Sequence, residues 1–322
     1  MSSQDRPRIG VAGLGIMGAG IAGNYLKKGY SLTVWNRTRR AAEALAAEGA
    51  RVAATPRELA ERSDVVITCL SSPSVVGAVA TGHDGLLSGA RPGLRWIDTS
   101  TIGRPTALAM AEGAKKYGVE FLEAPVTGSK NGARDGTLVV MTGGAPELHQ
   151  ACLPVIEVFA SKVIYVGPLG TAAVMKLIGN TIISFMLEGI AEGATLGARA
   201  GISIEKILEV VQASGFSSPY WNFKGGAMAR RDFDTHFSLD LLHKDQTLAL
   251  AEGQWYRVPM PGLAAIQQVT GMARALGYGR EDIAAQIKAV EAAAGGAADR
   301  SERPSEVPWS LFLSNDPGAP KR

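Results

Sequence analysis

The spacing of apolar residues changes partway along the chain and separates two kinds of predicted secondary structure. Short apolar runs that predict strands cover residues 9–12, 31–35, 51–54, 65–70, 95–99, 120–123, 138–142 and 163–166. Helical patterns lie between most of these runs, up to residue 28 and at 56–62, 105–116 and 146–159. Strands that alternate with helices are typical of a doubly wound α/β sheet.

The second half of the chain contains helical patterns without further strands. A helical periodicity of about seven turns covers residues 171–199, and shorter helical patterns follow at 204–212, 239–252, 263–275 and 281–293. We therefore predict an α/β domain over residues 1–166 and an all-helical domain over residues 167–295. Residues 296–322 are small, polar and proline-rich, which predicts a flexible tail or a segment that lies over a neighbour.

The composition is that of an ordinary soluble globular protein, with 46% hydrophobic and 20% charged residues and a net charge of +3. This weak charge gives no reason to expect nucleic acid or a membrane as a partner. Residues 172–190 are apolar, but Lys176, Asn180 and Glu188 interrupt them, which favours a buried helix over a membrane span. Neither the two cysteines nor the four histidines have metal-ligand spacing, so we expect no metal and a reducing, cytoplasmic location.

A glycine-rich turn joins the first predicted strand to the first predicted helix. It reads Gly13-Leu14-Gly15-Ile16-Met17-Gly18. Within a strand–helix–strand unit of about 30 residues, this pattern is a dinucleotide-binding fingerprint. Gly13 allows the tight turn, Gly15 lets the backbone approach a pyrophosphate, and Gly18 lets helix and strand pack closely, while the helix N-terminus attracts the phosphates. An ordinary strand–helix turn is the alternative interpretation.

The residues after the second strand indicate which dinucleotide is bound. NAD-binding units usually carry Asp or Glu about 20 residues after the glycines, where the carboxylate accepts hydrogen bonds from the ribose. This chain has Asn36-Arg37-Thr38 there, followed by Arg39 and Arg40. No carboxylate would repel a 2′-phosphate, and Arg37 can stack on adenine and bind phosphate oxygens. We predict NADP(H); a solvated helix start is the alternative interpretation of the arginines.

The long predicted helix carries one polar stripe among apolar residues. Lys176, Asn180 and Ser184 are spaced four residues apart and share one face of the helix. Burying a lysine is costly unless it is paired or lines a cleft, and partial burial lowers its pKa toward the range in which proton transfer is efficient. The alternative is a lysine whose aliphatic stem reaches the surface.

Two polar clusters follow predicted strands, at the edge where open α/β sheets bind ligands. One ends in Thr127-Gly128-Ser129, which offers two hydroxyls and an accessible backbone N–H, and the other is residues 98–101. A third cluster, His-Lys-Asp at residues 243–245, lies on a predicted helix. A plain strand-to-loop turn is the alternative for the first cluster, and a solvated helix face is the alternative for the third.

Five segments of the chain share their order and motifs with one known family. They are residues 13–30, 98–101, 123–138, 167–180 and 243–250. Together they resemble the β-hydroxyacid dehydrogenase family, which includes the 3-hydroxyisobutyrate dehydrogenases, over about residues 8–293. The resemblance implies a Rossmann dinucleotide-binding domain, a long interdomain helix, an all-helical second domain, and assembly as a homodimer or homotetramer.

The resemblance also implies roles for individual residues. Lys176 would be the general acid/base, and Asn180 would hold the substrate or the lysine. Thr127, Gly128 and Ser129 would bind a substrate carboxylate. The residues implied to contact the cofactor or line its path are Thr101, Lys244, Leu70 and Ser71.

The implied activity is hydride transfer between NADP(H) and a small β-hydroxy acid, semialdehyde or 2-oxoacid. Among the family, the NADPH-dependent glyoxylate/succinic semialdehyde reductases are most similar at Asn36-Arg37-Thr38, Glu123, Ser129-Lys130 and Asp135-Gly136. Thr127 stands where these have Ser, and residues 214–223 are more aromatic than a glyoxylate pocket needs. The alternatives are an imine or ketone reductase on the same fold and a non-catalytic NADP-binding module; Lys176 argues against both.

Overall fold

The structure is a computed structural model that describes residues 6–296. The predicted tail therefore lies outside the described residues, except for Gly296. Within the described range nine strands form one sheet. They are β1 (Ile9–Ala12), β2 (Leu32–Trp35), β3 (Arg51–Val52), β4 (Val65–Thr68), β5 (Arg95–Asp98), β6 (Glu120–Glu123), β7 (Val126–Thr127), β8 (Leu138–Gly143) and β9 (Ala160–Gly167).

Helices connect the strands and make up the second half of the described chain. They are α1 (Ile16–Lys27), α2 (Arg40–Ala47), α3 (Pro56–Glu61), α4 (Pro73–Thr81), α5 (Gly103–Lys115), α6 (Ser129–Asp135), α7 (Pro146–Ile156), α8 (Thr171–Ala200), α9 (Ile204–Ala213), α10 (Gly226–Arg230), α11 (Leu239–Trp255), α12 (Pro261–Ala273) and α13 (Gln286–Ala293). Shorter helical turns occupy Leu86–Gly89, Trp221–Gly225, Arg274–Tyr278 and Ile283–Ala285.

The strand order confirms the predicted doubly wound α/β fold. The strands run β3-β2-β1-β4-β5-β6-β8-β7, and β9 pairs with β8. The pairs from β3 through β6 are parallel, whereas β8 is antiparallel to β6. Parallel strands covered by helices are apolar on both faces, and β1 and β4 are buried at every position. The carboxyl ends of β1, β4 and β5 therefore meet at one edge of the sheet, where ligands bind in this fold.

Several short elements were not predicted, for identifiable reasons. The strand β7 has two residues, too few to show a period, and forms only because it pairs with β8. The helix α4 begins with two local signals that the apolar pattern does not include: the Ser72 hydroxyl accepts a hydrogen bond from the Val75 N–H, and Pro73 follows it. The predicted strand at 163–166 is longer in the structure, because β9 pairs with β8 along its length.

The described chain contains two compact units. The larger comprises the residues up to Phe185 together with Asp234–Ile283, and the smaller comprises Met186–Phe233 and the residues from Ala284. The domain boundary near residue 167, between the α/β domain and the helical domain, stays a prediction. In the described range, α8 is the one helix long and apolar enough to cross a membrane, a test that core helices of soluble proteins also pass.

Candidate active site

The glycine turn, residues 13–18, depends on the absence of side chains at two packed positions. Gly13 has a φ of +94°, and a methyl group there would overlap the carbonyl oxygen of Cys69 at the end of β4. A methyl group on Gly18 would overlap the carbonyl oxygen of Gly13. These two glycines let α1 start directly against β1 and β4.

The first turn of α1 fits a bound pyrophosphate. A side chain on Gly15 would meet no atom within 4 Å, so the space above this backbone is open. Gly15 is the residue before the helix, no side chain caps its first N–H groups, and no acidic residue lies in the first turn. Ile16 is exposed and Met17 partly exposed, so neither fills the opening. Uncapped N–H groups and the helix dipole together bind anions.

Asn36 connects the glycine turn to the residues that follow β2. Its Oδ1 accepts a hydrogen bond of 2.9 Å from the Leu14 N–H, and its Nδ2 donates a bond of 2.9 Å to the Thr38 carbonyl. Arg37 and Thr38 are exposed beyond this bridge. The sequence suggested only that a carboxylate is absent here. The structure adds that both the oxygen and the nitrogen of the neutral amide are hydrogen-bonded to the backbone.

Leu70, Ser71 and Thr101 lie in the loops that follow β4 and β5. The Leu70 N–H donates to the Ser100 hydroxyl at 2.9 Å, and this hydroxyl donates to the Asp98 carboxylate at 2.7 Å. Asp98 is buried, which raises its pKa to about 6 against the opposing effect of its hydrogen bonds. The two loops are therefore held together by a buried carboxyl at the carboxyl edge of the sheet.

The polar stripe on α8 belongs to a continuous chain of contacts, which we call the lysine network. The Lys176 ammonium donates to Asn180 Oδ1 at 3.1 Å, and Asn180 Nδ2 donates to Asp245 Oδ2 at 2.6 Å. Lys244 forms an ion pair with Asp245 at 2.7 Å and donates to the Thr101 carbonyl at 2.6 Å. The network thus runs from the lysine of α8, through α11, to the loop after β5.

The network sets the charge state of its ionisable members. Burial is the main cause that lowers the pKa of Lys176; the Asp245 carboxylate opposes it and the Lys244 charge adds to it. Burial raises the pKa of Asp245, against the attraction of Lys244 and Lys176. Lys176 as a residue is partly buried, and its bond to Asn180 holds the ammonium in place.

Asp245 is the network residue whose role the sequence analysis missed. It was noted within the cluster at 243–245, but only Lys244 was assigned a function. The available signal was its place next to Lys244 on a helix with a buried face. Ser184, the third member of the stripe, faces a different contact: it accepts a hydrogen bond of 3.1 Å from Gln246, which also donates to Thr270.

The predicted carboxylate-binding loop, Thr127-Gly128-Ser129, joins β7 to α6: Thr127 ends the strand and Ser129 begins the helix. Thr127 and Gly128 are exposed and Ser129 is partly buried. Gly128 has a φ of +133° and Ser129 a φ of +65°, which is uncommon for a residue with a side chain and marks a constrained turn. Within residues 6–296, no side-chain hydrogen bond joins this loop to Lys176. Its role as an anion site stays a prediction.

Two further predictions concern parts outside these contacts. The aromatic residues 214–223 lie in the smaller unit, where Trp221 begins a π-helical turn. Among the described residues there is no group of three or more His, Cys, Asp or Glu side chains that could hold a metal ion.

Two family models match the chain. The one described as the NAD binding domain of 6-phosphogluconate dehydrogenase matches residues 8–167. The one described as the NAD-binding domain of NADP-dependent 3-hydroxyisobutyrate dehydrogenase matches residues 170–290. The first model covers the sheet and the glycine turn, and the second covers α8 and the helices that follow.

Individual proteins agree with these models. Glyoxylate/succinic semialdehyde reductase 1 of Arabidopsis thaliana is 35% identical over 283 residues, which are 88% of this chain and 98% of the reductase. A Mycobacterium tuberculosis 3-hydroxyisobutyrate dehydrogenase structure with L-serine aligns with a TM-score of 0.80 at 28% identity, covering 88% of this chain and 99% of that one. An imine reductase from Pseudomonas sp. shares the fold, with a TM-score of 0.56 at 23% identity over 89% of this chain and 100% of its own. With its NAD(P)-binding sheet, its helical second half and this extent of identity, the chain belongs to the β-hydroxyacid dehydrogenase family.

Proposed function

We propose that the protein is an NADPH-dependent reductase of small carbonyl acids, such as semialdehydes or 2-oxoacids, and that Lys176 is its general acid/base. The observation that carries this proposal is the lysine network. It joins a partly buried ammonium to the loop of Thr101 through Asn180, Asp245 and Lys244. A solvated lysine without a function needs no such support, whereas a proton donor must be held in one position.

The residues divide the reaction among them. NADPH, when bound, supplies a hydride to the carbonyl carbon. The Lys176 ammonium stabilises the negative charge that develops on the carbonyl oxygen and gives it a proton, which completes the hydroxyl group. In the reverse direction neutral Lys176 takes that proton. Its lowered pKa supports both roles, because the neutral and charged forms then lie closer in free energy.

The preference for NADPH over NADH rests on the residues after β2. Asn36 is neutral and spends both polar groups on the backbone of Leu14 and Thr38. A neutral side chain does not repel a 2′-phosphate, and the amide of Asn36 is bonded to the backbone instead of to a ribose hydroxyl. Arg37 is exposed beside it and can bind phosphate oxygens in a bidentate manner.

The carboxylate of the substrate is assigned to the loop Thr127-Gly128-Ser129. Two hydroxyls and a backbone at positive φ can surround an anion. Hydrogen bonds to a charged group contribute about 1.5–3 kcal/mol each, enough to discriminate strongly against a neutral analogue.

The test compares succinic semialdehyde with butanal, which has the same chain length and no carboxylate. NADPH oxidation is followed with each, and we expect KM for butanal to be at least about 10-fold higher. Equal catalytic efficiency would remove the carboxylate site from the proposal. A lack of NADPH oxidation with any small aldehyde, despite tight NADPH binding, would favour a non-catalytic NADP-binding module.

An imine or ketone reductase is the second candidate. The aromatic residues at 214–223 favour it, because Tyr220, Trp221 and Phe223 suit a larger and more apolar substrate than glyoxylate. A cyclic imine in the same assay distinguishes the two activities. Reduction of the imine with higher efficiency than succinic semialdehyde would select this candidate.

A second copy of the chain is the proposed macromolecular partner. Met175, Ile178, Ile182 and Phe185 form a stripe on α8, and each is more than a third exposed. An apolar stripe of this length on a free surface is typical of an interface. Light scattering should give a dimer or tetramer, and Ile182→Glu should dissociate it. A monomeric wild type would contradict this assembly.

We also propose that the protein is cytoplasmic.

A further inference from the structure

Glu123, at the carboxyl end of β6, is a buried carboxylate that binds the start of α8. Its Oε2 accepts a hydrogen bond of 2.7 Å from the Gly170 N–H, and the backbone N–H groups of Ala172 and Ala173 also lower the pKa of the carboxyl. The side chain is 3% exposed. A negative charge at a helix N-terminus is favourable, because the first N–H groups have no partner within the helix.

This contact joins the two elements that carry the proposed chemistry. Ala172 lies four residues before Lys176 on α8, so the turn that Glu123 binds is the one directly below the lysine on the same face. In the other direction, Glu123 lies four residues before Thr127, the start of the carboxylate loop. One side chain therefore holds the lysine helix against the strand that leads into this loop.

The neighbouring strand is shaped to admit the carboxylate. Gly143 on β8 pairs with Glu123, and a methyl group at Gly143 would overlap Glu123 Oε2 and lie 3.1 Å from the Ala172 nitrogen. The second oxygen, Oε1, is buried without a hydrogen-bond partner among the described residues. Burial is the main cause that raises the pKa of Glu123 to about 7, and the Asp98 carboxylate adds to it. An apolar side chain would fill this space without that cost.

We infer that Glu123 is a positioning residue that sets the placement of Lys176 relative to the loop Thr127-Gly128-Ser129. This role deepens, and rests on, the proposed function of Lys176. Glu123 touches no reacting atom; it acts through the first turn of α8. A shift of about 1 Å in a proton donor can cost two orders of magnitude in rate, so a loosened first turn lowers kcat more than cofactor affinity.

The test replaces Glu123 by Gln, with Glu120→Gln as the matched control. Glu120 lies on the same strand but is exposed and pairs with Arg95. In Glu123→Gln we expect kcat for succinic semialdehyde to fall about 10-fold or more, with the NADPH Kd within about twofold of wild type, as expected for a change that leaves the glycine turn intact. The control should retain both values.

A readout that needs no substrate separates this inference from the proposed function. The Cε NMR signal of Lys176, assigned by its loss in Lys176→Arg, should shift or broaden in Glu123→Gln and not in Glu120→Gln. An unchanged signal overturns the positioning role whatever the activity. A shifted signal in a protein that reduces no carbonyl acid supports the positioning of Lys176 and contradicts the proposed substrate instead.

A second variant covers a folding failure of the first. Gly143→Ala displaces the carboxylate while keeping Glu123 itself, so it must also perturb the Lys176 signal and speed amide hydrogen exchange at Gly170 and Ala172. A core variant with the same loss in Tm serves as reference for kcat. If that variant loses as much kcat as Glu123→Gln, the effect is general destabilisation and the inference is wrong.

Discussion

The glycine turn and the lysine network depend on opposite properties of their residues. The glycine turn works through missing side chains: its positions are contiguous in sequence, its backbone is open at Gly15, and Gly13 and Gly18 each lie closest to a backbone carbonyl oxygen. The lysine network works through side chains from α8 and α11, which are far apart in sequence and bond to the backbone of the loop after β5. The first should therefore fail when atoms are added, and the second when charges are removed.

The largest expected effect comes from removing the charge at the end of the network. Lys176→Ala should lower kcat by about 100-fold or more, because general acid/base groups contribute that much. NADPH affinity, measured by fluorescence titration, should stay near wild type since the glycine turn is intact. Lys176→Arg should also be inactive, because a guanidinium does not release a proton near neutral pH. Activity within a few-fold of wild type in the alanine variant would make the lysine structural.

Adding one methyl group should have different effects at Gly15 and at Gly18. Gly15→Ala meets no protein atom, so the Tm of the cofactor-free protein should stay unchanged while the NADPH Kd rises on the order of 10–100-fold. Gly18→Ala overlaps the Gly13 carbonyl and should lower Tm as well. Scanning calorimetry and NADPH titration of both variants check this. Equal NADPH affinity in Gly15→Ala and wild type would mean that no pyrophosphate approaches there.

Cofactor preference tests Asn36, whose side chain joins the glycine turn to the residues after β2. Asn36→Asp keeps the acceptor for the Leu14 N–H but turns a carboxylate oxygen toward the Thr38 carbonyl and the expected 2′-phosphate. The ratio of kcat/KM for NADPH over NADH should fall about 10–100-fold. Combined with Arg37→Ile the preference should reverse. A wild-type protein that uses both cofactors equally would refute the NADP assignment.

Asp245 tests whether the network acts as a unit. Its carboxylate raises the pKa of Lys176, so Asp245→Asn should lower that pKa further. The neutral lysine then appears at lower pH, and the alkaline limb of the kcat profile for carbonyl reduction should move to lower pH. The lost charged contacts should also cost about 1.5–3 kcal/mol of stability. Asp240→Asn, an exposed site on the same helix paired with Arg274, is the control and should leave the profile unchanged.

The smallest effect concerns Asp98, the buried carboxyl that holds together the loops after β4 and β5. Burial raises the pKa of Asp98 to about 6, so folding takes up a proton between about pH 4 and pH 6. Relative to Asp98→Asn, the wild type should gain about 1–3 kcal/mol of stability as pH falls through this window. Asp64 should behave oppositely, because Arg8 lowers its pKa to about 2. Urea titrations of the wild type and Asp98→Asn at pH 7 and pH 4.5 measure the Asp98 difference, whereas that of Asp64 appears only below about pH 4. An equal change in the free energy of unfolding between these pH values in both proteins would show that Asp98 is not buried as a neutral acid.

Local sequence was enough to predict the features in which one segment builds its own geometry. The glycine turn, the long helix α8 and the alternation that gives a doubly wound sheet all follow from spacing over fewer than about 30 residues. The family resemblance then assigned the chain to the β-hydroxyacid dehydrogenases, which the comparisons confirm. Lys176 and Asn180 were visible as a polar stripe because their helix is otherwise apolar.

Only the tertiary structure decided which distant residues meet. The contact of Asp245 with Asn180 joins residues 65 positions apart, and that of Glu123 with Gly170 joins residues 47 positions apart. Neither contact has a local signal that identifies the partner residue, because a carboxylate on a helix or at a strand end is usually exposed to solvent. The sequence by itself thus determined the elements and the kinds of chemistry they can carry. Packing decided which charges are buried together, and that burial sets their pKa values and their positions.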